Sequence, residues 1–279
     1  MLEAAACREA HVRGTSAPRL AAVGLAGGAV GALLGGGTGT VTVPALDRLT
    51  SLPRATIHGT ATLPNIAVAI VGSAVYALRG GAVDTRVGIP LMLGGVLGVH
   101  AGARFVARAS ERTLRVSFVV VLVLAGAKLL LDALGLDPIG AHAILPAAVR
   151  GESAAVTALA LALGALVGAW SAALGLGGGL LTVPTLVLLF GSGLHEAEGT
   201  SLLVMLPNSI FAAHAHLRQR TASLPVGLRL ASGAAPGAVV GALLALALPA
   251  RALGLVFGGF VLAMAARELR RLRTRRRLS

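Results

Sequence analysis

Cysteine is nearly absent from this chain. Cys7 is the only one in 279 residues, so no disulfide can close within the molecule and a cysteine-built metal centre lacks its ligands. Aromatic residues make up 3%, too few for the stacked faces of a single-strand nucleic-acid platform. No G-x-x-x-x-G-K-[ST] loop and no G-x-S-x-G elbow occurs, which removes a built-in ATP motor and serine chemistry of that type. His195-Glu196 opens an H-E-x-x-H pattern, but residue 199 is Gly, so the second zinc ligand is missing. An intramembrane hydrolase is left without catalytic residues, and nothing calls for a cofactor or a metal.

Charge is missing over long distances. Residues 153–194 form a run of 42 without Asp, Glu, Lys or Arg; as helix that is roughly 63 Å, about twice a ~30 Å hydrocarbon core. It must turn back on itself. Residues 20–46, 55–78, 87–103, 199–217 and 230–250 are also free of charge, and apolar stretches near 116–131 and 252–266 complete a set of eight, four in each half. With 56% hydrophobic residues and a mean hydropathy of +0.85, the chain has more apolar surface than one water-soluble core could hide. The fold class expected is all-α and polytopic, with lipid as its solvent.

The formal charge of +13 does not point to nucleic acid. Seven arginines fall between Arg267 and Arg277, directly after the last apolar segment, as a cytoplasmic tail does under the positive-inside rule. Residues 1–19 carry Glu3, Glu9 and His11 where a signal peptide needs an apolar stretch, and read as a short cytosolic leader.

An internal repeat organises the sequence. At an offset of 140, Gly35, Gly37, Gly39, Thr42, Val43, Pro44 and Leu46 fall on Gly175, Gly177, Gly179, Thr182, Val183, Pro184 and Leu186, and Gly59-Thr60 on Gly199-Thr200. With one residue of slippage Gly94, Gly98 and Gly102 fall on Gly233, Gly237 and Gly241, two small-xxx-small faces suited to tight helix contact. The expected layout is a tail at 1–19, a repeat at 20–137, a linker at 138–152, a second repeat at 153–267 and a basic tail at 268–279.

In each copy the first segment carries three alternating glycines and then a proline, which break a helix. Such a break must face protein or a wet cavity, because hydrocarbon cannot satisfy the freed backbone groups. If the broken segment crosses the membrane, 16 arginines lie inside and 7 outside; if it returns as a hairpin, the repeats are inverted and the counts become 19 and 4. The hairpin fits the positive-inside rule better. Both arrangements place both termini in the cytosol of a cell whose plasma or inner membrane holds the protein.

The duplicated pattern of a G-x-G-G-G-x-x-x-V-P-x-L break, a G-T-S-L-L run and a G-x-x-x-G-x-x-x-G helix resembles the TauE/SafE family of sulfite and organosulfonate exporters, over residues 20–267. The second copy is the closer, with Gly175, Gly177, Gly178, Gly179, Val183, Pro184, Leu186 and Gly199-Thr200-Ser201-Leu202-Leu203. The first departs at Thr38, inside the glycine run, and at Gly59-Thr60-Ala61-Thr62. The resemblance implies a multi-pass membrane protein moving small anions.

In transporters of this construction, broken helices offer free N–H groups to anions near mid-membrane. Gly37, Gly39, Gly177 and Gly179 would let a sulfonate or carboxylate approach the backbone. Thr38, Thr60, Asn65, Thr200, Ser201 and Asn208 would add neutral hydrogen bonds, as would Thr40, Thr42 and Thr182. The plainer role for these groups is helix packing and backbone satisfaction. Proton coupling needs a titratable group by the path, for which His58, His100 and His214 are candidates; these three, with His195 and His216, lie within or at the ends of apolar segments, where a hydrogen-bonded interfacial histidine is the plainer role for each, and His214 and His216 point to different helix faces. Lys128 and Asp132, four apart, pair across one turn near a membrane face. The partners implied are a small anion and the bilayer, with a homodimer as compatible as a monomer. The competing reading is a membrane scaffold or assembly factor that moves nothing.

Overall fold

The computed structural model describes residues 16–80, 83–106, 111–136, 145, 153–174 and 179–276, and no strand occurs among them. The expected linker lies outside the described residues, Leu145 apart. The helices are α1 (Ala17–Leu33), α2 (Gly39–Leu49), α3 (Arg54–Thr60), α4 (Thr62–Gly80), α5 (Thr85–Val106), α6 (Glu111–Ala133), α7 (Ser153–Leu174), α8 (Gly179–Thr185, extended by a π-helical turn Leu186–Phe190), α9 (Leu194–Arg218), α10 (Leu224–Ala247) and α11 (Ala250–Arg276). Among the described residues four stretches are long and apolar enough to cross a membrane, 54–79, 115–133, 224–247 and 250–270, and 17–33, 85–99, 153–169 and 179–190 are shorter apolar helices.

The broken segment returns as a hairpin. Gly35 and Gly37 take left-handed φ angles of +58° and +79°, which only glycine adopts without strain, and the chain reverses between α1 and α2. Gly31 then faces Gly37, Gly27 faces Thr38 and Thr42, and Leu46, Leu52 and Ile57 cluster with Leu20 at the start of α1. So α2 ends level with the beginning of α1, and the next helices must cross the body again.

The two copies are interlocked. Gly24 and Gly28 of α1 lie against the carbonyls of Leu230 and Ala234 of α10, while Gly233, Gly237 and Gly241 lie against those of Ala21, Leu25 and Ala29. Both series rise together, so α1 and α10 run parallel. The same zipper joins the other pair: Gly94 and Gly98 of α5 meet Leu161 and Ala165 of α7, and Gly164 and Gly168 meet Leu91 and Gly95. The first helix of each copy thus packs on the glycine-lined helix of the other, α1 on α10 and α7 on α5, backbone against backbone, where a Cβ at these glycines would overlap a carbonyl oxygen.

Two further pairs run across the pseudo-twofold axis. α4 and α9 are antiparallel, with Gly72 against Leu202 and Tyr76 against Glu198. α6 and α11 are antiparallel as well, through Gly126 and Gly258 and an Arg115–Glu268 ion pair. α4 and α10 therefore run with α1, whereas α5, α7, α9 and α11 run against it: an inverted repeat. One end of the body collects Arg19, Arg48, Arg54, Arg218, Arg220, Arg229 and the basic stretch of α11, and the other holds Arg79, Arg86 and Arg251.

The zipper makes a sharp prediction. Gly28→Val forces the α1 and α10 backbones apart and should destabilise by about 2 kcal/mol, the usual penalty of overpacking. Gly259→Val, whose Cβ meets nothing within 4 Å, should leave the thermal unfolding midpoint in detergent nearly unchanged. Equal midpoints for the two variants would contradict the interlock.

Candidate functional site

Two breaks meet where α4 and α9 cross. Gly179, the first residue of α8, is buried against the Gly35 carbonyl and the Gly36 backbone. Ser201 Oγ lies 2.7 Å from Gly35 O, to which it donates, and 3.3 Å from Gly179 O. One hydroxyl therefore bridges both glycine stretches. Gly177 lies outside the described residues.

The other side of the first break is held by Asn65 of α4. Its Oδ1 accepts from the Thr38 N–H at 2.7 Å and from the Thr38 hydroxyl at 2.9 Å, and Thr42 Oγ1 donates to Thr38 O at 3.0 Å. Gly37 packs on Asn65 and on the Met205 sulfur. Gly39, two residues on, is only partly buried and a Cβ on it would meet nothing within 4 Å. The N-terminus of α2 thus opens onto free space, while Gly35, Gly37 and Thr38 are packed.

Thr60 and Thr200 occupy equivalent places and do equivalent things. Thr60 Oγ1 accepts the Ser223 N–H at 2.9 Å and Thr200 Oγ1 accepts the Asp84 N–H at 2.8 Å, so each latches the chain just before α10 or α5. Asn208 is partly buried beside Gly95, and its Oδ1 has no hydrogen-bond partner among the described residues. Thr182 is buried in α8.

His58 and His214 are exposed, and the His100 side chain lies outside the described residues. His195 Nε2 sits 3.1 Å from Ala245 O and 3.2 Å from Leu248 O at the end of α10. His216 Nδ1 lies 2.9 Å from Thr221 Oγ1, packs on Gly59 and is near enough to His58 for their charges to interact. Lys128 and Asp132 do form an ion pair, beside a cavity of about 260 Å³ lined also by Ser192, Arg251 and Gly254. Among the described residues no three His, Cys, Asp or Glu side chains gather as metal ligands would.

Glu198 and Tyr76, both at the breaks, escaped the sequence reading. Glu198 is fully buried, its Cα against Gly35 and its Oε2 2.9 Å from the equally buried Tyr76 hydroxyl. The offset of 140 carries His58 onto Glu198 and Tyr76 onto His216, so titratable residues stand at matched places in both copies. That correspondence was the available signal.

The geometry agrees with comparison to known families. The family model described as "Sulfite exporter TauE/SafE" matches residues 3–129 and 160–278, two segments that together span most of the chain. Neither a curated protein nor a solved structure matches it.

Asn65→Ala removes the acceptor for two buried Thr38 donors, each of which then costs about 1–3 kcal/mol if left unmade. The variant should unfold at clearly lower temperature than Ser73→Ala, whose hydroxyl merely returns to its own helix at Ala69 O. Indistinguishable melting curves would show that Asn65 does not hold the break.

Proposed function

This chain belongs to the TauE/SafE sulfite exporter family, a family of membrane transporters, and on that premise we propose that it is a secondary exporter of small sulfur oxyanions such as sulfite or organosulfonates, driven by an ion gradient across the plasma membrane. The observation that carries this reading is the meeting of two helix breaks on the α4–α9 pair, with the α2 N-terminus open at Gly39. An anion placed there is met by backbone N–H groups and the positive end of a helix dipole. Thr40, beside that opening and partly buried, adds a hydroxyl.

No fixed cation is needed at such a site, and that suits transport. An oxyanion paired with a buried arginine would be held by a strong, bidentate, charge-assisted contact, whereas dipoles and neutral donors bind it loosely enough to release it on the other side. Thr38 and Asn65 fix the N-terminus of α2 in place, and Ser201 ties its turn to the second break. Gly37, Gly39 and Gly179 keep side chains out of the path, with Gly177 assigned the same part by the repeat.

Alternating access follows from the inverted repeat. The two hairpins are related by the pseudo-twofold axis, so exchanging their conformations would turn a pathway open to one side into its mirror on the other. The packed Gly179 and the open Gly39 are then the closed and open members of one pair. The arginine-rich end, which bears both the start of α1 and the end of α11, is assigned to the cytosol under the positive-inside rule.

Gly39→Leu provides the test, because it fills the opening without touching the packed turn. In proteoliposomes of the full chain, sulfite flux should fall about tenfold or more, corresponding to ~1.4 kcal/mol or more of lost interaction, with thermal stability unchanged. Wild-type flux in this variant would dissociate the opening from transport. Absence of flux in the wild type across sulfite, sulfoacetate and taurine would favour a scaffold instead.

A further inference from the structure

We infer that Glu198 is the proton-binding site of this protein: its carboxyl carries a proton while the Gly35 turn is closed over it, and releases that proton to water when the turn withdraws. The inference rests on the transport reading for its consequence, though not for its geometry.

Counting hydrogens at Tyr76 leads there. The Tyr76 hydroxyl lies 2.9 Å from Glu198 Oε2 and 3.2 Å from Ala32 O. Ala32 is the second-last residue of α1, so its carbonyl has no partner within the helix and needs an outside donor. A phenol has one hydrogen. With Glu198 ionised, that hydrogen can serve the carbonyl or the carboxylate, and the other contact sets lone pair against lone pair. With Glu198 protonated, its O–H donates to the tyrosine oxygen, the tyrosine donates to Ala32 O, and both contacts are satisfied in one direction.

Burial points the same way. Glu198 has no exposed surface, and its Oε1 has no hydrogen-bond partner among the described residues. An ionised carboxylate held there by a single phenol would lack the pairing that makes a buried charge tolerable. Among the described residues Tyr76 is the side chain bonded to it, and the charged groups near it sit at the ends of the surrounding helices, with Lys128 and Asp132 of α6 and Arg251 of α11 beside the start of α9. From α4 come Tyr76 and the exposed Arg79; before and within α5 come Asp84, which accepts from the Arg86 and Val87 N–H groups, and the exposed Arg86, whose guanidinium reaches Ser153. α8 and the α1–α2 turn contribute no charged residue. On its own helix Glu196 is partly exposed, and His195 is turned to the α10 carbonyls. Among the described residues no cation is seated on the carboxyl to replace the proton.

The position also couples the proton to the anion. Glu198 lies in the second turn of α9, about 6 Å from its start at ~1.5 Å per residue, so water has a short way in once the turn moves. The turn that covers it, Gly35 to Gly37, leads directly into Gly39 and the open α2 N-terminus. Moving one hairpin therefore exposes the proton site and reshapes the anion site together. The proton comes from water as a bare H⁺ onto a carboxylate lone pair and returns to water by the reverse step, so no other bond changes.

Glu198→Gln tests this, since the amide is the neutral isostere and its NH₂ can donate to Tyr76 as the protonated acid does. Infrared difference spectra of the full-length wild type at neutral pH should show a protonated-carboxyl band, shifted in deuterium oxide and missing from Glu198→Gln. The variant should melt no lower than the wild type. In proteoliposomes it should keep exchange of labelled for unlabelled sulfite at equal pH, and lose at least tenfold of the sulfite accumulation driven by a pH gradient. Tyr76→Phe should shift the pH profile of the gradient-driven flux. A missing Glu198-dependent band, a markedly destabilised Gln variant, or gradient-driven accumulation in it at the wild-type rate would each overturn the assignment. If the wild type exchanges no sulfite at all, the function proposed above fails, and the infrared band still decides the protonation of Glu198.

Discussion

A helix that stops inside an apolar body leaves carbonyls and amides that no water can reach, and the rest of this structure depends on how those groups are paired. At the first break, Leu34 N–H closes on Val30 O and Gly36 N–H on Gly31 O. Three more are served from other helices: Ala32 O by Tyr76, Gly35 O by Ser201, and Thr38 N–H by Asn65. Each donor or acceptor belongs to α4 or α9. The antiparallel α4–α9 pair is therefore the frame that makes a break in the middle of the body affordable, and it is also what brings the two breaks to one place.

The interlock of the copies gives that frame its stiffness. Each copy lends its first helix to the other, along parallel zippers in which glycine on one helix meets carbonyl oxygen on its partner. Neither copy presents a closed surface alone, so duplication here is a way of building one body. The hairpins and the crossing helices can then differ in mobility. α1 is gripped along its length, while the turn it leads into rests on a few side-chain hydrogen bonds.

Much of this was legible in the sequence. The duplication, the glycine breaks and the all-helical class follow from composition and spacing, which do not depend on knowing the packing. The return of the broken segment was favoured by the arginine distribution, since sidedness is written in loop charge. Partnerships were not legible: Tyr76 and Glu198 are far apart in sequence, and a lone Glu next to Gly-Thr-Ser looks like the solvated first turn of a helix. Thr60 and Thr200 stood out as hydroxyls near the breaks, yet their acceptance of Ser223 and Asp84 N–H groups depends on where α10 and α5 begin. Thr38 and Asn65 drew attention separately, and only the fold shows that they hold each other.

The contact between the two breaks can be measured directly. In a Cys7→Ser background, cysteines replace Gly36 and Gly179, a protease site is inserted in the stretch between residues 137 and 152, and membranes are oxidised before cleavage. The account predicts that the two halves stay linked until a reductant is added. Halves that separate equally in oxidised and reduced membranes would mean that the glycine stretches do not meet, and the site built on them would not exist.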